Sequence, residues 1–584
     1  MAKEVTQNDF YKSNVLGQRS GLFVLFFTEM WERFSFYGMR VLLIQFLTAA
    51  VIAGDPKSGW AWSAEQAGAL YGTYAMMLYL TPIFGGVIAD KYIGSRMAVI
   101  IGAIVMTIGH AAMAFDTPTM FFIGLACLVI GTGFFKPNMP SILGEMYKDL
   151  PEKKDGAYTI FYMGVNAGAF FGMMLCGYVA ETQGWHWGFG LAGIFMLLGT
   201  LQFALAKPLM GNLGILDKSK EGIEAKNAQD TDKRNPFTTL DYILMTIVGV
   251  IGFLYAFNDP LSKNGIIDIF TFLDTSVLRG QYIIIFFALA IFIYLLVSRI
   301  IRYDKVVRDR MFAVVLLAFF LVFFFMSFEQ GATSLVLVAR DYIDRSLTGS
   351  ALTTFNIVNG LLTVIPLALI SYVLVKLATS TWKKIALSNV VLVICFVLIW
   401  GAVLWMLSNE FSKDASEITV SWFSTLNSFF IIALASTVSK LWESKYNPSA
   451  AFKYGFGLIL VAIGFLVLGF GASGIHEGVK ISMTFLVITY LFHTLGELFI
   501  SPVGLSYVSK LVPSRMLAFM FGIWYLAIAI AQKLAAVLGG QVEVIKEQHS
   551  LSYFFFLFTA IPLAAGLLVM LLNPVIKKLM HGIR

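Results

Sequence analysis

Apolar residues fill this chain in long runs, with short polar stretches between them. About 20 mostly apolar residues suffice for an α-helix to cross a bilayer. Sixteen runs meet that length, at 20–53, 66–90, 96–115, 119–146, 155–181, 187–206, 239–258, 281–302, 312–338, 352–376, 384–407, 419–442, 452–473, 481–508, 516–540 and 551–575. The first two contain charges, so they are not simple lipid-facing anchors. The most polar stretch, 207–238, separates six predicted spans from the rest. That division predicts two helical bundles joined by a linker, a common transporter plan. The loop at about 257–280 is expected to carry a short amphipathic outer helix.

Composition supports the same class. The chain has 584 residues, of which 58% are hydrophobic and only 13% charged, with a mean hydropathy of +0.78. Soluble domains carry about 25% charged residues, and no soluble surface could hide so much apolar side chain. Disorder is excluded for the same reason. The net charge of +7 comes from Lys and Arg in alternate loops, as the positive-inside rule requires. That places both termini in the cytoplasm and gives nucleic acid no part in the function. Cys127, Cys176 and Cys395 all lie in apolar runs. They make no disulfide framework or metal-ligand spacing, and no cofactor or metal is expected. The polar N-terminal segment lacks the apolar core of a signal peptide.

Ionisable residues inside spans are costly and usually face a cavity. The first span holds Glu29, Glu32, Arg33 and Arg40, the fourth Lys136, the ninth Glu329, the fourteenth His493 and Glu497, and the fifteenth Lys533. Glu29, Arg33, Phe36, Tyr37 and Arg40 recur every three or four residues and share a helix face. Glu29 and Arg33 form an i, i+4 pair of favourable orientation. His493, Glu497 and Ser501 share a face in the same way. Both signs of charge thus converge on a central cavity, which suits a zwitterion. Structural ion pairs that lock helices are the simpler alternative.

Several motifs then point to a family. Glu29-Met30-Trp31-Glu32-Arg33-Phe34-Ser35-Phe36-Tyr37-Gly38 resembles the ExxERFxYYG signature of proton-dependent oligopeptide transporters, bacterial type, within the major facilitator superfamily. Gly85-Gly86-Val87-Ile88-Ala89-Asp90-Lys91, with Gly94 and Arg96, resembles that superfamily's loop between its second and third helices. Phe134-Phe135-Lys136-Pro137-Asn138, Phe161 to Gly168 and Phe328-Glu329-Gln330-Gly331 resemble the family's fourth, fifth and seventh helices. Trp422-Phe423 with Asn427, Gly496-Glu497-Leu498 with Ser501 to Gly504, and Gly522-Ile523-Trp524 resemble its eighth, tenth and eleventh. Together they span about 500 residues in order.

The resemblance implies an all-α membrane protein with the major facilitator fold. Two six-helix bundles would surround a central site, with two inserted helix pairs giving about 16 transmembrane helices. The implied division is 1–206 for the N-terminal bundle, 207–311 for linker and first inserted pair, and 312–338 for the first helix of the C-terminal bundle. Residues 339–414 would form a second inserted pair, and 415–584 the remainder. That second pair departs from the family pattern and reads most simply as peripheral packing or a dimer surface. Phe36 stands where a Tyr is common, and Ser428 where Pro is usual.

The implied function is a bacterial inner-membrane symporter that imports di- and tripeptides with protons by alternating access. Glu29, Glu32 and Arg33 would couple protons. Arg33, Tyr37, Arg40, Tyr79, Lys136, Asn166, Glu329, Asn427, Glu497, Ser501 and Trp524 would line the peptide site. Arg suits a peptide carboxylate because it stays charged and binds bidentately. Gating pairs would be Arg40 with Glu329 and Lys136 with Glu497. Asp90 and Arg96 would form a conformational latch. His110 is expected to pack within its helix, His493 either to tune Glu497 or to hydrogen-bond as a neutral residue, and Lys533 to snorkel toward an outer end. A transporter of another solute on the same fold is the alternative. A membrane enzyme lacks support, since no nucleophile elbow or metal cluster is visible.

Overall fold

The computed structural model describes residues 10–115, 117–216, 237–445, 447–473, 479–512 and 514–583. Most of the linker at 207–238 therefore lies outside the described residues. Fifteen long helices run in order: α1 Ser20–Thr48, α2 Ala64–Ile88, α3 Ser95–Met113, α4 Pro118–Met146, α5 Pro151–Gln183, α6 Trp185–Leu205, α7 Thr239–Lys263, α8 Gly280–Ile301, α9 Lys305–Asp341, α10 Gly349–Phe411, α11 Val420–Glu443, α12 Ala450–Ala472, α13 Met483–Leu511, α14 Ser514–Gly539 and α15 Leu551–Leu571. Fourteen are long and apolar enough to cross a membrane. The other, α1, carries the four charges Glu29, Glu32, Arg33 and Arg40.

The 63 residues of α10 would extend about 95 Å as one straight helix, roughly three bilayer cores. The backbone instead folds at Ile385, with φ −134° and ψ 47°. The two arms return against each other, with Trp400 Nε1 donating to Ser371 Oγ at 3.0 Å and Asn356 Nδ2 to the Glu410 carbonyl at 3.0 Å. Ser346–Thr348 pairs antiparallel with Ala415–Glu417 and closes the neck of this hairpin. With α10 counted as two and α1 included, a helix lies at each of the sixteen predicted spans. The loop after α7 differs from expectation: α7 runs on to Lys263, and only a single turn, Thr271–Leu273, follows.

Two spans break at chemically active points. α4 turns at Lys136-Pro137, because proline cannot donate in the helical ladder. α9 tightens into a 3₁₀ turn at Glu329–Ala332. Each break frees backbone groups beside a charged side chain.

Helices α1–α6 form one bundle, and α9 with α11–α15 form the other. α1 is buried on every side, as expected of a helix that meets no lipid. Gly168 and Gly172 bring α5 against the backbone of Met30 and Phe34, the close approach that small residues permit. Trp31 stacks on Phe195 of α6 at 5.1 Å. In the second bundle Phe465 packs on Phe558 at 5.3 Å. The α10 hairpin sits on the first bundle, where Phe396 meets Phe27 and Trp31 at 5.6 and 5.7 Å. The α7–α8 pair rests on α2, with Thr73 Oγ1 donating to the Ala256 carbonyl at 2.6 Å.

The ends of the molecule differ. The near end holds the start of α1 and the close of the chain. There Arg19 forks onto Asp149 with two bonds of 2.8 Å, and that hydrogen-bonded pairing holds the Asp149 carboxyl down to about 2. At the far end the bundles touch. A Cβ on Gly68 would meet the Ala536 carbonyl at 2.6 Å, and one on Gly72 would meet the Ala536 Cβ at 2.8 Å. Arg340 Nη1 donates to Thr48 Oγ1 at 2.7 Å, and Glu181 accepts from the Val420 and Ser421 amides at 3.1 and 3.3 Å. Toward the near end the same helices part. An added Cβ on Gly522 of α14 meets nothing within 4 Å, and one on Gly86 of α2 meets only Pro137 of its own bundle.

Candidate functional site

Between the bundles lie two adjoining cavities of about 110 and 220 Å³. Tyr37, Arg40, Phe328, Glu329, Asn427 and Glu497 line both, so they form one central site. Arg33 and Lys136 bring positive charge from the first bundle to the larger cavity. The carboxylates on the shared wall, Glu329 and Glu497, come from the second bundle. Asn166 faces the smaller cavity and Tyr79 the larger.

Arg40 is ion-paired with Glu329 across the bundles. Its Nε also donates to Tyr71 OH at 2.6 Å, and Gln532 Nε2 donates to Glu329 Oε1 at 2.7 Å. Both charges are therefore paired and hydrogen-bonded, the condition under which buried ions persist. The break of α9 at Glu329 sets this carboxylate at the cavity rather than along a regular helix face.

Arg33 is shared by two acids. Its Nε lies 2.8 Å from Glu29 Oε1 and 3.0 Å from Glu32 Oε2. Glu32 is wholly buried, and neither glutamate lines the cavities. Both precede Arg33 on the near-end side, Glu29 by one turn and Glu32 by one residue. Two carboxylates on one guanidinium make a cluster with an excess negative charge.

Lys136 and Glu497 are not joined: among the described residues no ion pair links them. Lys136 Nζ instead sits over the Tyr79 ring, 4.0 Å from its centroid, a cation–π contact in a desolvated setting. Glu497 accepts from Asn427 Nδ2 at 2.9 Å, and Asn427 also donates to Thr494 Oγ1 at 3.1 Å. Asn166 is turned to the Tyr162 carbonyl at 3.0 Å.

Other expected residues lie elsewhere. Neither Ser501 nor Trp524 lines the cavities. Trp524 is packed against Gly504, where any side chain would collide with its ring. Asp90 is exposed, and no ion pair joins it to Arg96 among the described residues. Arg96 Nη1 donates instead to the Gly211 carbonyl at 2.6 Å. The turn that allows this needs Gly94, at φ +79°, whose added Cβ would stand 2.8 Å from the Gly214 carbonyl. His110 is buried in its bundle. His493 lines the smaller cavity beside Glu497, with its ring on Phe465 at 4.5 Å and over Gly464, which leaves it room. Lys533 does not snorkel. It is 4% exposed and bonded to Asp259 of α7 at 2.5 Å, because the inserted pair covers this part of α14.

The site also contains residues to which the motif reading gave no role: Tyr71, Tyr74, Tyr162, Tyr490, Ser424 and Gln532. A signal existed for the first two. Tyr71 and Tyr74 lie in one α2 run with Tyr79, and three phenols in a predicted span mark a polar face. Ser424 and Gln532 carry no such mark, because a single serine or glutamine in a span is as often a helix–helix contact.

A cavity between two helical bundles, with opposed charges from each, defines a secondary transporter of major facilitator type. The chain belongs to the POT family, whose model matches residues 96–415 and 402–555. The two matched segments meet near the end of the α10 hairpin. Peptide transporter YePEPT of Yersinia enterocolitica is 32% identical over 569 residues, covering 96% of this chain and 94% of that protein. The Di-/tripeptide transporter of Lactococcus lactis subsp. cremoris is 27% identical, covering 97% and 98%. Among solved structures, a peptide transporter POT in complex with sulfate superposes with TM-score 0.71 at 26% identity, covering 99% of this chain and 98% of that one.

Proposed function

We propose that this protein is a proton-coupled symporter that imports di- and tripeptides through the bacterial inner membrane by alternating access. The observation that carries this is the central site formed by the two adjoining cavities, with Arg33, Arg40 and Lys136 from one bundle and Glu329 and Glu497 from the other. A peptide is a zwitterion, and this wall offers cations to its carboxylate and anions to its amine. The family membership and the named relatives support the substrate class.

In this reading the near end is cytoplasmic, residues 1–206 and 415–584 with 312–338 work as the two bundles, and the conformation is open inward. Arg33 holds two carboxylates. A proton on Glu29 or Glu32 balances the cluster and frees the guanidinium to bind the peptide carboxylate bidentately. Glu497 and Asn427 take the amino terminus, after Asn427 gives up its present bond. Tyr37, Tyr79 and Asn166 bond the peptide backbone, which tolerates many side chains. Arg40–Glu329 closes the outer side, and Lys136–Glu497 forms when the inner side closes. Asp90 and Arg96 act as a latch at that inner side. Moving one charge through 100 mV is worth about 2.3 kcal/mol, enough for roughly fiftyfold accumulation per proton.

The test is dialanine uptake into proteoliposomes with and without an inward proton gradient. Accumulation that needs the gradient, collapses with a protonophore and is competed by unlabelled dipeptides is the expected result. Folded protein with no uptake of dialanine or of a tripeptide series would reject the peptide reading and leave the fold standing.

A further inference from the structure

Lys533 is a buried cation that the central site does not use. It projects from α14 of the second bundle, away from both cavities. Its Nζ donates to the Ala69 carbonyl at 3.1 Å and to Thr73 Oγ1 at 2.9 Å, both on α2 of the first bundle. Its counter-ion, Asp259, comes from the inserted helix α7 at 2.5 Å. One ammonium thus joins three elements, through two hydrogen bonds and one ion pair.

The partners are not equivalent. α7 is tied to α2 by contacts that leave α14 out. Thr73 Oγ1 donates to the Ala256 carbonyl at 2.6 Å, Gln66 Nε2 to the Lys263 carbonyl at 3.2 Å, and Lys263, which pairs with Asp259 of its own helix at 3.2 Å, also pairs with Glu65 of α2 at 3.5 Å. α7 and α2 therefore form one preassembled socket, and Lys533 is the plug from the opposite bundle. Gly72 makes room for the plug: its added Cβ would lie 3.1 Å from Lys533 Cδ. The joint sits at the far end, where Gly68 meets Ala536.

We propose that Lys533 and Asp259 are a second far-end gate pair beside Arg40 and Glu329, in which the inserted helix pair clasps the far end closed and releases α14 when that end opens. The proposal rests on the alternating-access reading above. It gives the inserted pair a mechanical part: it travels with the first bundle and presents Asp259 to the moving helix. Withdrawal of Lys533 leaves Asp259 near Lys263, its second cation, so the socket stays neutralised while empty. A charge left alone there would be costly.

The test measures the gate directly. Spin labels are placed on cysteines at positions 57 and 547, which are exposed far-end sites on the two sides, with Cys127, Cys176 and Cys395 replaced by alanine. Distances are read in proteoliposomes without substrate. Lys533→Met and Asp259→Asn should each raise the far-end-open fraction about tenfold, as expected when one partner of a buried pair is lost. The double exchange Asp259→Lys with Lys533→Asp should bring the fraction back toward that of the parent. Unchanged distances in both folded single variants would overturn the proposal. So would an exchange that opens the gate as much as either single change, since packing alone would then be at stake. Should the single variants not fold, Thr73→Val removes the bonds of the Thr73 hydroxyl to Lys533 and Ala256 but leaves the Lys533–Asp259 ion pair; it should open the gate by a smaller factor, and no shift would overturn the clasp. Because no peptide is present, a shift in distances with no uptake by the parent would reject the peptide reading and keep the clasp.

Discussion

The two ends of the molecule are built from the same helices and hold opposite states. At the far end α2 meets α14 through Gly68, Gly72 and Ala536, α1 meets α9 through Thr48 and Arg340, and Arg40 is paired with Glu329. Toward the near end Gly86 and Gly522 face no helix of the other bundle, while Lys136 rests on Tyr79 and Glu497 on Asn427. On the alternating-access reading proposed above, the difference is how a gate would be stored. The closed pair is charge on charge across the bundles. The open pair keeps each charge satisfied within its own bundle, on a ring or an amide, so neither ion is stranded while the gate is apart.

Four measurements can break or sharpen that contrast. The largest effect is expected from Glu329→Gln, which leaves Arg40 buried without a counter-charge. Losing one partner of such a pair costs about 3–5 kcal/mol. The far end should then open in most molecules, and gradient-driven uptake should be nearly abolished. A far-end distance distribution like that of the parent would break the assignment of Arg40–Glu329 as the closing pair.

Gly68→Leu comes next. Its side chain must enter the space held by the Ala536 carbonyl. Overpacking of this kind costs about 1–3 kcal/mol, so the inward-open state should lose tenfold or more in population. The readout is thiol labelling of Tyr162→Cys, a half-exposed cavity position, which should slow in proportion.

Lys136→Ala tests the open pair. Driven uptake should fall about tenfold, corresponding to about 1.4 kcal/mol lost from the state in which the pair forms. Peptide-for-peptide exchange should survive, because in the loaded carrier Glu497 would hold the peptide amine rather than Lys136 when the inner side closes. Unimpaired driven uptake would remove Lys136 from the gate.

The smallest effect concerns the near-end loop. Asp149, hydrogen-bonded to Arg19, titrates at about 2, below the usual carboxylate value of about 3.9. A depressed folded-state value means stability that is present above the unfolded value and lost as pH falls through the folded one. Asp149→Asn should therefore lower the melting temperature slightly at pH 7. The gap from the parent should shrink as pH is taken from 4 toward 2. The pair is more than half exposed on the Asp149 side, and surface pairs are worth little, so the shift should be a degree or two.

Much of the fold was legible because lipid imposes a simple rule. Every crossing must be a long apolar helix, and length and hydropathy then count the spans. The Ile385 reversal was visible as two runs, although the backbone stays helical almost to the bend. The site was legible where charge is improbable, at Arg33, Arg40, Lys136, Glu329 and Glu497. It was not legible at Gln532 or Tyr490, which look like ordinary polar residues of buried helices. Trp524 and Ser501 misled, because a motif tells which helix a residue occupies but not how that helix is rotated against its neighbours.

The two inserted pairs mark the boundary most clearly. Residues 239–301 and 349–411 read alike in sequence, as apolar hairpins added to a transporter. Hydropathy alone determined that both cross the membrane, and the charges of α1, α4, α9 and α13 determined that a polar cavity lies between bundles. Tertiary structure decided what each hairpin does. One docks on α2 through Thr73 and on α14 through the buried ion of Lys533, and the other lies on α1 and α6 through Phe396 and through Ser388, which donates to the Gln202 carbonyl at 2.8 Å. The reason is physical: transfer into lipid depends on each segment's own composition, whereas docking depends on which few polar atoms of distant segments meet once the helices have packed.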